Sequence, residues 1–270
     1  MILNLIFIPI ALLAAIGVLL VAELSLWWLP LLAIGGYVAA VAVYFLIICV
    51  ASLFFPRKAP ERSNPLCRWL IANTMHWLMP FAAIRVVLLG AEKIPDCPCV
   101  IVSNHLSDFD PMTLLAALRH RKLVYISKQE NFKIPVVGPY MRCGGFISLD
   151  RNNSLRAVKT LQIAAEHMKN DGVDIGIYPE GTRSRTGKLL RFKPGACYLA
   201  QQAEAPIVVM TTQGTERISK RFFLSPLRVE LKVVDVIGVD HVMNTNQNDL
   251  TEEIRQIVVR NLPNEATEEA

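Results

Sequence analysis

Two long stretches without charged residues at the N-terminus constrain the fold of this 270-residue chain more than any other feature. Residues 1–22 contain no Asp, Glu, Lys, Arg or His, and residues 24–56 contain none either. Each stretch reaches the roughly 20 apolar residues that an α-helix needs to cross the hydrocarbon core of a bilayer. Glu23, Trp27, Trp28 and Pro30 lie between them, a composition typical of an interfacial turn. We therefore expect a transmembrane helical hairpin in residues 1–56, with helices at about 3–22 and 30–54.

The charges that flank these stretches predict their orientation. The turn between them carries no Lys or Arg, whereas Arg57, Lys58, Arg62 and Arg68 closely follow the second stretch. By the positive-inside rule, the rest of the chain then faces the cytoplasm, as part of an integral membrane protein with two spans. The alternative for the first stretch is a signal peptide, but it lacks a basic n-region and a clear small-x-small cleavage site.

Net charge and cysteine spacing limit which partners and which metal or redox sites the rest of the chain is expected to have. The net charge of +5 is modest and suits an anionic membrane face, so we expect no nucleic-acid partner. The six cysteines lack the C-x-x-C spacing of a zinc site or a redox dithiol. Because a cytoplasmic domain keeps its thiols reduced, we predict no disulfide and no metal.

The pattern after residue 56 divides into three parts. Residues 57–84 form a membrane-proximal segment whose helix, at 64–83, lies on the membrane, packs beneath the spans, or is a buried core helix. Residues 85–262 are expected to form an α/β domain, and residues 263–270 an acidic tail. Apolar runs predict strands at 85–89, 99–103, 122–127, 145–149, 173–178, 206–211 and 228–237. With the periodic helix from Ser154 to Lys169, they predict a mixed, largely parallel sheet flanked by helices.

A histidine and an aspartate follow the second predicted strand, at the carboxyl end where open α/β sheets place ligands. His105 and Asp110 are five residues apart, so on one continuous helix their side chains would diverge by about 140°. A turn before Pro111 would bring them together, and a carboxylate-held His can remove a proton from a hydroxyl. Two alternatives stay open: Asp110 caps the helix that Pro111 begins, or Asp108 is the partner of the histidine.

No G-x-S-x-G elbow supplies a serine nucleophile. The reacting hydroxyl is then expected to belong to the substrate. If the hydroxyl attacks an acyl carbonyl, this favours direct acyl transfer over a covalent acyl-enzyme.

Glu180, Gly181, Thr182 and Arg183 follow the fifth predicted strand. Arg183, together with Arg151, offers a planar guanidinium suited to a phosphate monoester. Gly181 allows a sharp turn, and Thr182 offers a hydroxyl or an amide. The alternatives to a binding role are structural. Arg151 could be an exposed arginine after a strand, and Glu180 could be the structural partner of a nearby arginine.

Four ordered blocks resemble the glycerolipid acyltransferase superfamily typified by 1-acyl-sn-glycerol-3-phosphate acyltransferase, the PlsC type. They cover nearly the whole soluble domain, from about residue 87 to residue 236. The H-x-x-x-x-D block, the glycine-apolar-arginine block, the E-G-T-R block and the proline block correspond to His105 to Asp110, Gly145 to Arg151, Glu180 to Arg183, and Ala205 to Val209.

This resemblance implies transfer of a fatty acyl group from acyl-CoA or acyl carrier protein to the sn-2 hydroxyl of lysophosphatidic acid. It implies that His105 is the general base, that Asp110 orients it, and that residues 180–183 with Arg151 bind the glycerol phosphate. No metal or bound cofactor is expected. The alternatives are another acceptor, such as glycerol 3-phosphate or a different lysophospholipid, thioester hydrolysis, and a non-catalytic membrane lipid-binding protein.

Overall fold

A computed structural model describes residues 2–56, 63–150, 154–184, 186, 188–222 and 225–263. Arg151, three of the cations after the second apolar stretch (Arg57, Lys58 and Arg62) and nearly all of the acidic tail lie outside these ranges. The α-helices of the described residues are α1 (Ile2–Val21), α2 (Leu29–Ser52), α3 (Pro65–Phe81), α4 (Asp110–Ala117), α5 (Val137–Cys143), α6 (Ser154–Asp171), α7 (Gly195–Ala203), α8 (Val239–Asn244) and α9 (Gln247–Asn261). The strands are β1 (Ile84–Leu89), β2 (Val100–Ser103), β3 (Leu123–Lys128), β4 (Ile147–Leu149), β5 (Asp174–Ile177), β6 (Ile207–Gln213) and β7 (Leu227–Ile237).

Helices α1 and α2 pack side by side as a hairpin. The buried residues of α1 recur every four positions, which places them in one stripe along the helix: Leu3, Phe7, Ala11, Ala15 and Leu19. Gly36 of α2 lies so close to this stripe that a Cβ atom there would be 3.0 Å from the carbonyl oxygen of Ala11. Both helices are long and apolar enough to cross a membrane, by length and composition, which is consistent with membrane association.

Helix α3 lies between the hairpin and the α/β domain. Its Trp77 indole donates to Asn4 Oδ1 of α1 at 2.7 Å, and its Thr74 hydroxyl lies 2.5 Å from the Tyr44 hydroxyl of α2. Met79, on another face of the same helix, belongs to the core of the domain. The helix therefore packs beneath the spans and also contributes to the domain core, so two of the three placements considered for it apply together.

The seven strands form one sheet in the order β1-β7-β6-β2-β5-β3-β4. All neighbouring pairs are parallel except β6 and β7, so the predicted mixed, largely parallel sheet is confirmed. Each predicted strand lies within two residues of an observed one at both ends. Because β2 is parallel to both β5 and β6, the carboxyl ends of these three strands meet at one edge, where the loops that follow them converge.

Candidate active site

His105 and Asp110 meet across a tight turn between β2 and α4. The Asp110 amide donates to the Ser107 carbonyl at 3.2 Å, and α4 begins only at Asp110, so the two residues do not share one helix. As a result, His105 Nδ1 lies 2.7 Å from Asp110 Oδ2. The turn that the five-residue spacing requires is present.

The Asp110 carboxylate is fully buried and holds the turn together. In addition to His105 Nδ1, its Oδ2 accepts hydrogen bonds from the amides of Leu106 at 2.7 Å and Ser107 at 2.8 Å. The Thr215 hydroxyl donates to Oδ1. These donors precede the helix or come from a distant loop, so the hypothesis that Asp110 caps α4 with its side chain is wrong. Because the carboxylate is an acceptor for Nδ1–H, the lone pair of the imidazole lies on Nε2.

Asp108, the other carboxylate considered as a partner of the histidine, points elsewhere. Its side chain is 62% exposed, and Oδ2 accepts a hydrogen bond from the guanidinium of Arg183. The H-x-x-x-x-D block, called the first motif below, thus contributes Asp110 to the histidine and Asp108 to Arg183 of the E-G-T-R block, called the second motif.

Two stacked tyrosines support the imidazole ring. The Tyr178 ring lies parallel to that of His105, with centroids 4.2 Å apart and an interplanar angle of 12°. The Tyr125 ring is nearly parallel to Tyr178 at 5.6 Å, and their hydroxyls are 3.4 Å apart. Tyr125 can occupy this position because residue 176 is glycine: a Cβ there would be 2.4 Å from the ring. The Tyr178 ring therefore covers one face of the His105 imidazole.

The Glu180 side chain connects the second motif to the first through hydrogen bonds. It is 3% exposed, and its two oxygens accept hydrogen bonds from the amides of His105 at 2.6 Å and Leu190 at 3.1 Å. The Ser184 amide donates to the His105 carbonyl at 2.9 Å, so both backbone polar groups of His105 are held by this segment. Burial raises the pKa of Glu180 to about 7, although both hydrogen bonds oppose this shift. Among the described residues, the hydrogen-bond partners of Glu180 are backbone amides and no arginine, contrary to the alternative of an arginine partner.

The exposed part of the second motif carries the positive charge. Gly181 has a φ of +71°, a left-handed conformation that favours glycine, and the Lys193 side chain lies over it. Thr182 is exposed, and the Arg183 side chain is 42% exposed. The segment around Gly181 therefore carries at least two exposed cations, Arg183 and Lys193, whereas Arg151 lies outside the described residues. Within the ranges that are described, no three His, Cys, Asp or Glu side chains are grouped as a metal site requires.

Two supporting residues were not assigned a role from the sequence. Thr215 follows β6 by two residues and is separated from Asp110 by 105 positions, so no spacing pattern connects them. The only available signal was that polar residues after β6 would reach the same edge as those after β2. Tyr178 lies two residues before Glu180, but nothing in the sequence pattern indicates that its ring faces a histidine.

Comparisons with known proteins identify the family of this chain. The profile of the Acyltransferase family matches residues 85–213. The human 1-acyl-sn-glycerol-3-phosphate acyltransferase beta is 33% identical over 211 residues, which cover 74% of each chain. The Limnanthes douglasii 1-acyl-sn-glycerol-3-phosphate acyltransferase is 31% identical over 224 residues, or 82% of this chain and 78% of the relative.

A solved structure extends the match to three dimensions. The crystal structure of the 1-acyl-sn-glycerophosphate (LPA) acyltransferase PlsC from Thermotoga maritima superposes with a TM-score of 0.62 and 26% sequence identity. The match covers 81% of this chain and 87% of that one. By sequence and by fold, the chain therefore belongs to the 1-acyl-sn-glycerol-3-phosphate acyltransferase family of enzymes.

Proposed function

We propose that this enzyme transfers a fatty acyl group from the thioester of coenzyme A or acyl carrier protein to the sn-2 hydroxyl of 1-acyl-sn-glycerol 3-phosphate. The product is phosphatidic acid, a precursor in phospholipid biosynthesis. The observation that carries the proposal is the 2.7 Å contact between His105 and a buried carboxylate, beside the exposed guanidinium of Arg183. Family membership supports acyl transfer, and the exposed cations favour a phosphate-bearing acceptor.

The chemistry follows from the hydrogen bonds of the imidazole. His105 Nε2 accepts the proton of the acceptor hydroxyl while its oxygen attacks the thioester carbonyl. The tetrahedral intermediate collapses with cleavage of the C–S bond, and the imidazolium returns the proton to the departing thiolate. Asp110 holds the Nδ1–H tautomer and stabilises the imidazolium. This sequence consumes no oxidant and requires no metal or cofactor beyond the acyl donor.

The phosphate of the acceptor would be bound by the second motif. Arg183 exchanges its exposed contact with Asp108 for a phosphate oxygen, and such an exchange is inexpensive because exposed ion pairs contribute only about 0–1 kcal/mol. Thr182 offers a hydroxyl or an amide, whereas the Gly181 amide already donates to the Tyr178 carbonyl at 3.0 Å, and Arg151 supplies a second guanidinium by resemblance. For Glu180 we propose an indirect contribution to acceptor binding, since both of its oxygens already hold the backbone around the site.

The hairpin places this chemistry at a bilayer, where an amphiphilic acceptor and product reside. The cations that follow the second apolar stretch favour a domain that faces the cytoplasm. Coenzyme A and acyl carrier protein are both water-soluble carriers of the acyl group. A domain on the cytoplasmic side of the membrane could therefore reach them.

Thiol release by the purified full-length chain tests the proposal. We expect release from acyl-CoA or acyl carrier protein only when lysophosphatidate is present. We expect His105→Ala to abolish it without unfolding the chain, and the exposed His120→Ala to have no effect. Release without any acceptor would indicate a hydrolase, and preference for glycerol 3-phosphate or another lysophospholipid would reassign the acceptor. If no donor and acceptor pair gives thiol, and lipid still binds, the chain is not a catalyst.

A further inference from the structure

A cavity of about 560 Å³ lies between the end of α3, strand β1 and the end of α4, away from the candidate active site. Its volume is within the range of about 300–1,000 Å³ that small-ligand sites occupy. Much of its wall is apolar, with contributions from Met79, Ile84, Val86 and Ala116. No residue of the H-x-x-x-x-D or E-G-T-R segments lines it.

The polar part of the lining is cationic. Among the residues that line the cavity, Arg85 and Arg119 carry positive charge, and none is an Asp or Glu. Arg119 Nη1 lies 3.5 Å from His76 Nδ1, and Arg119 Nε is buried with no hydrogen-bond partner in the described part of the chain. Burial and the neighbouring guanidinium lower the pKa of His76. The cavity therefore combines an apolar wall with positive charge that no lining carboxylate neutralises.

The cavity is close to where the hairpin meets the domain. His76, Met79 and Pro80 face the cavity from α3, whereas Thr74 and Trp77 of the same helix contact the hairpin. One helix thus contacts both the predicted membrane spans and the cavity. A bilayer lipid could therefore reach the cavity without passing the candidate active site.

We propose that this cavity binds an anionic phospholipid from the bilayer. The phosphate contacts the guanidinium of Arg119 beside His76, and the first part of one acyl chain lies on the apolar wall. A zwitterionic lipid fits less well because its added cation would meet like charge and find no carboxylate in the lining. This binding does not require acyl transfer, so it can be tested whether or not the proposed function is correct.

Lipid retention by the purified full-length chain in neutral detergent micelles tests this proposal. The probes are radiolabelled dioleoylphosphatidylglycerol, dioleoylphosphatidylcholine as the zwitterionic control, and inorganic phosphate as a competitor. Arg119→Met keeps much of the apolar stem and removes the charge, Ala117→Leu fills part of the cavity, and Arg255→Met is a matched loss of charge on α9. His105→Ala removes the proposed base. Melting temperatures establish that each variant is folded.

We expect phosphatidylglycerol to bind at least about tenfold more tightly than phosphatidylcholine, with Arg119→Met and Ala117→Leu each losing about tenfold. Arg255→Met and His105→Ala should retain wild-type binding, which separates this site from the catalytic one. Equal retention of the two lipids would overturn the proposal, as would wild-type binding by a folded Ala117→Leu variant. Displacement by millimolar inorganic phosphate would show a site for free phosphate and would equally overturn a lipid site.

Discussion

Replacing Asp110 by asparagine removes one charge from the site and leaves its shape almost unchanged. Oδ2 accepts hydrogen bonds from His105, Leu106 and Ser107, and an asparagine oxygen in that position keeps all three. The amide nitrogen then faces Thr215, whose hydroxyl can rotate to accept. Only the charge-assisted part of these bonds is lost, so we expect a destabilisation of about 1–3 kcal/mol.

The effect of Asp110→Asn on turnover should be much larger than its effect on stability. Without the carboxylate, the imidazolium that forms on proton transfer has lost its counter-charge, and the Nδ1–H tautomer is less strictly held. Loss of the equivalent group in Ser-His-Asp enzymes lowers kcat by about 10⁴, and we expect a loss of about 10³ to 10⁴ here. The assay is thiol release at saturating acyl-CoA and lysophosphatidate, with KM for the acceptor expected to change by less than about threefold.

Asp110→Ala is a different perturbation, because it leaves four donors without their acceptor. Each buried unsatisfied donor costs about 1–3 kcal/mol, so the sum is comparable with the whole stability of a domain, about 5–15 kcal/mol. We therefore expect this variant to be largely unfolded, as measured by circular dichroism.

A folded Asp110→Asn variant with kcat within tenfold of wild type would refute the role of the dyad in catalysis.

Substitutions at three further positions test the surroundings of the dyad. Tyr178→Leu removes the ring beside His105 and should lower kcat about three- to thirtyfold, whereas Tyr178→Phe keeps the ring and should stay near wild type; equal effects in steady-state assays would exclude a role for the ring. Asp108→Asn frees Arg183 and should lower KM for lysophosphatidate about two- to fivefold, and a higher KM would instead show that Asp108 positions the arginine. Because the pKa of Glu180 is raised from 4.5 to about 7, the fold favours its protonated form, so its contribution to stability should fall as the pH rises through this interval, by at most about 3 kcal/mol. Glu180→Gln should lack this decline in urea unfolding at pH 5 and pH 8, and parallel pH dependences of the two proteins would contradict the raised pKa.

The amino-acid sequence by itself determined the features that depend on local pattern. The apolar stretches before residue 57 became helices α1 and α2, and each predicted strand was recovered within two residues. The turn between His105 and Asp110 could also be predicted, because residues five apart on one continuous helix would not meet and Pro111 favours the start of a helix. Hydrophobic periodicity, helix geometry and proline chemistry operate over a few residues, so such features can be read without a fold.

Only the tertiary structure decided how distant residues support the dyad. Thr215 reaches Asp110 across 105 positions, and Glu180 reaches the His105 amide across 75. These contacts exist because β2 lies between β5 and β6 in parallel register, which brings three loops to one edge. Strand order and register depend on the packing of the whole sheet, and no local pattern specifies them. The sequence therefore indicated the histidine and its carboxylate, whereas the fold determined which groups hold them in place.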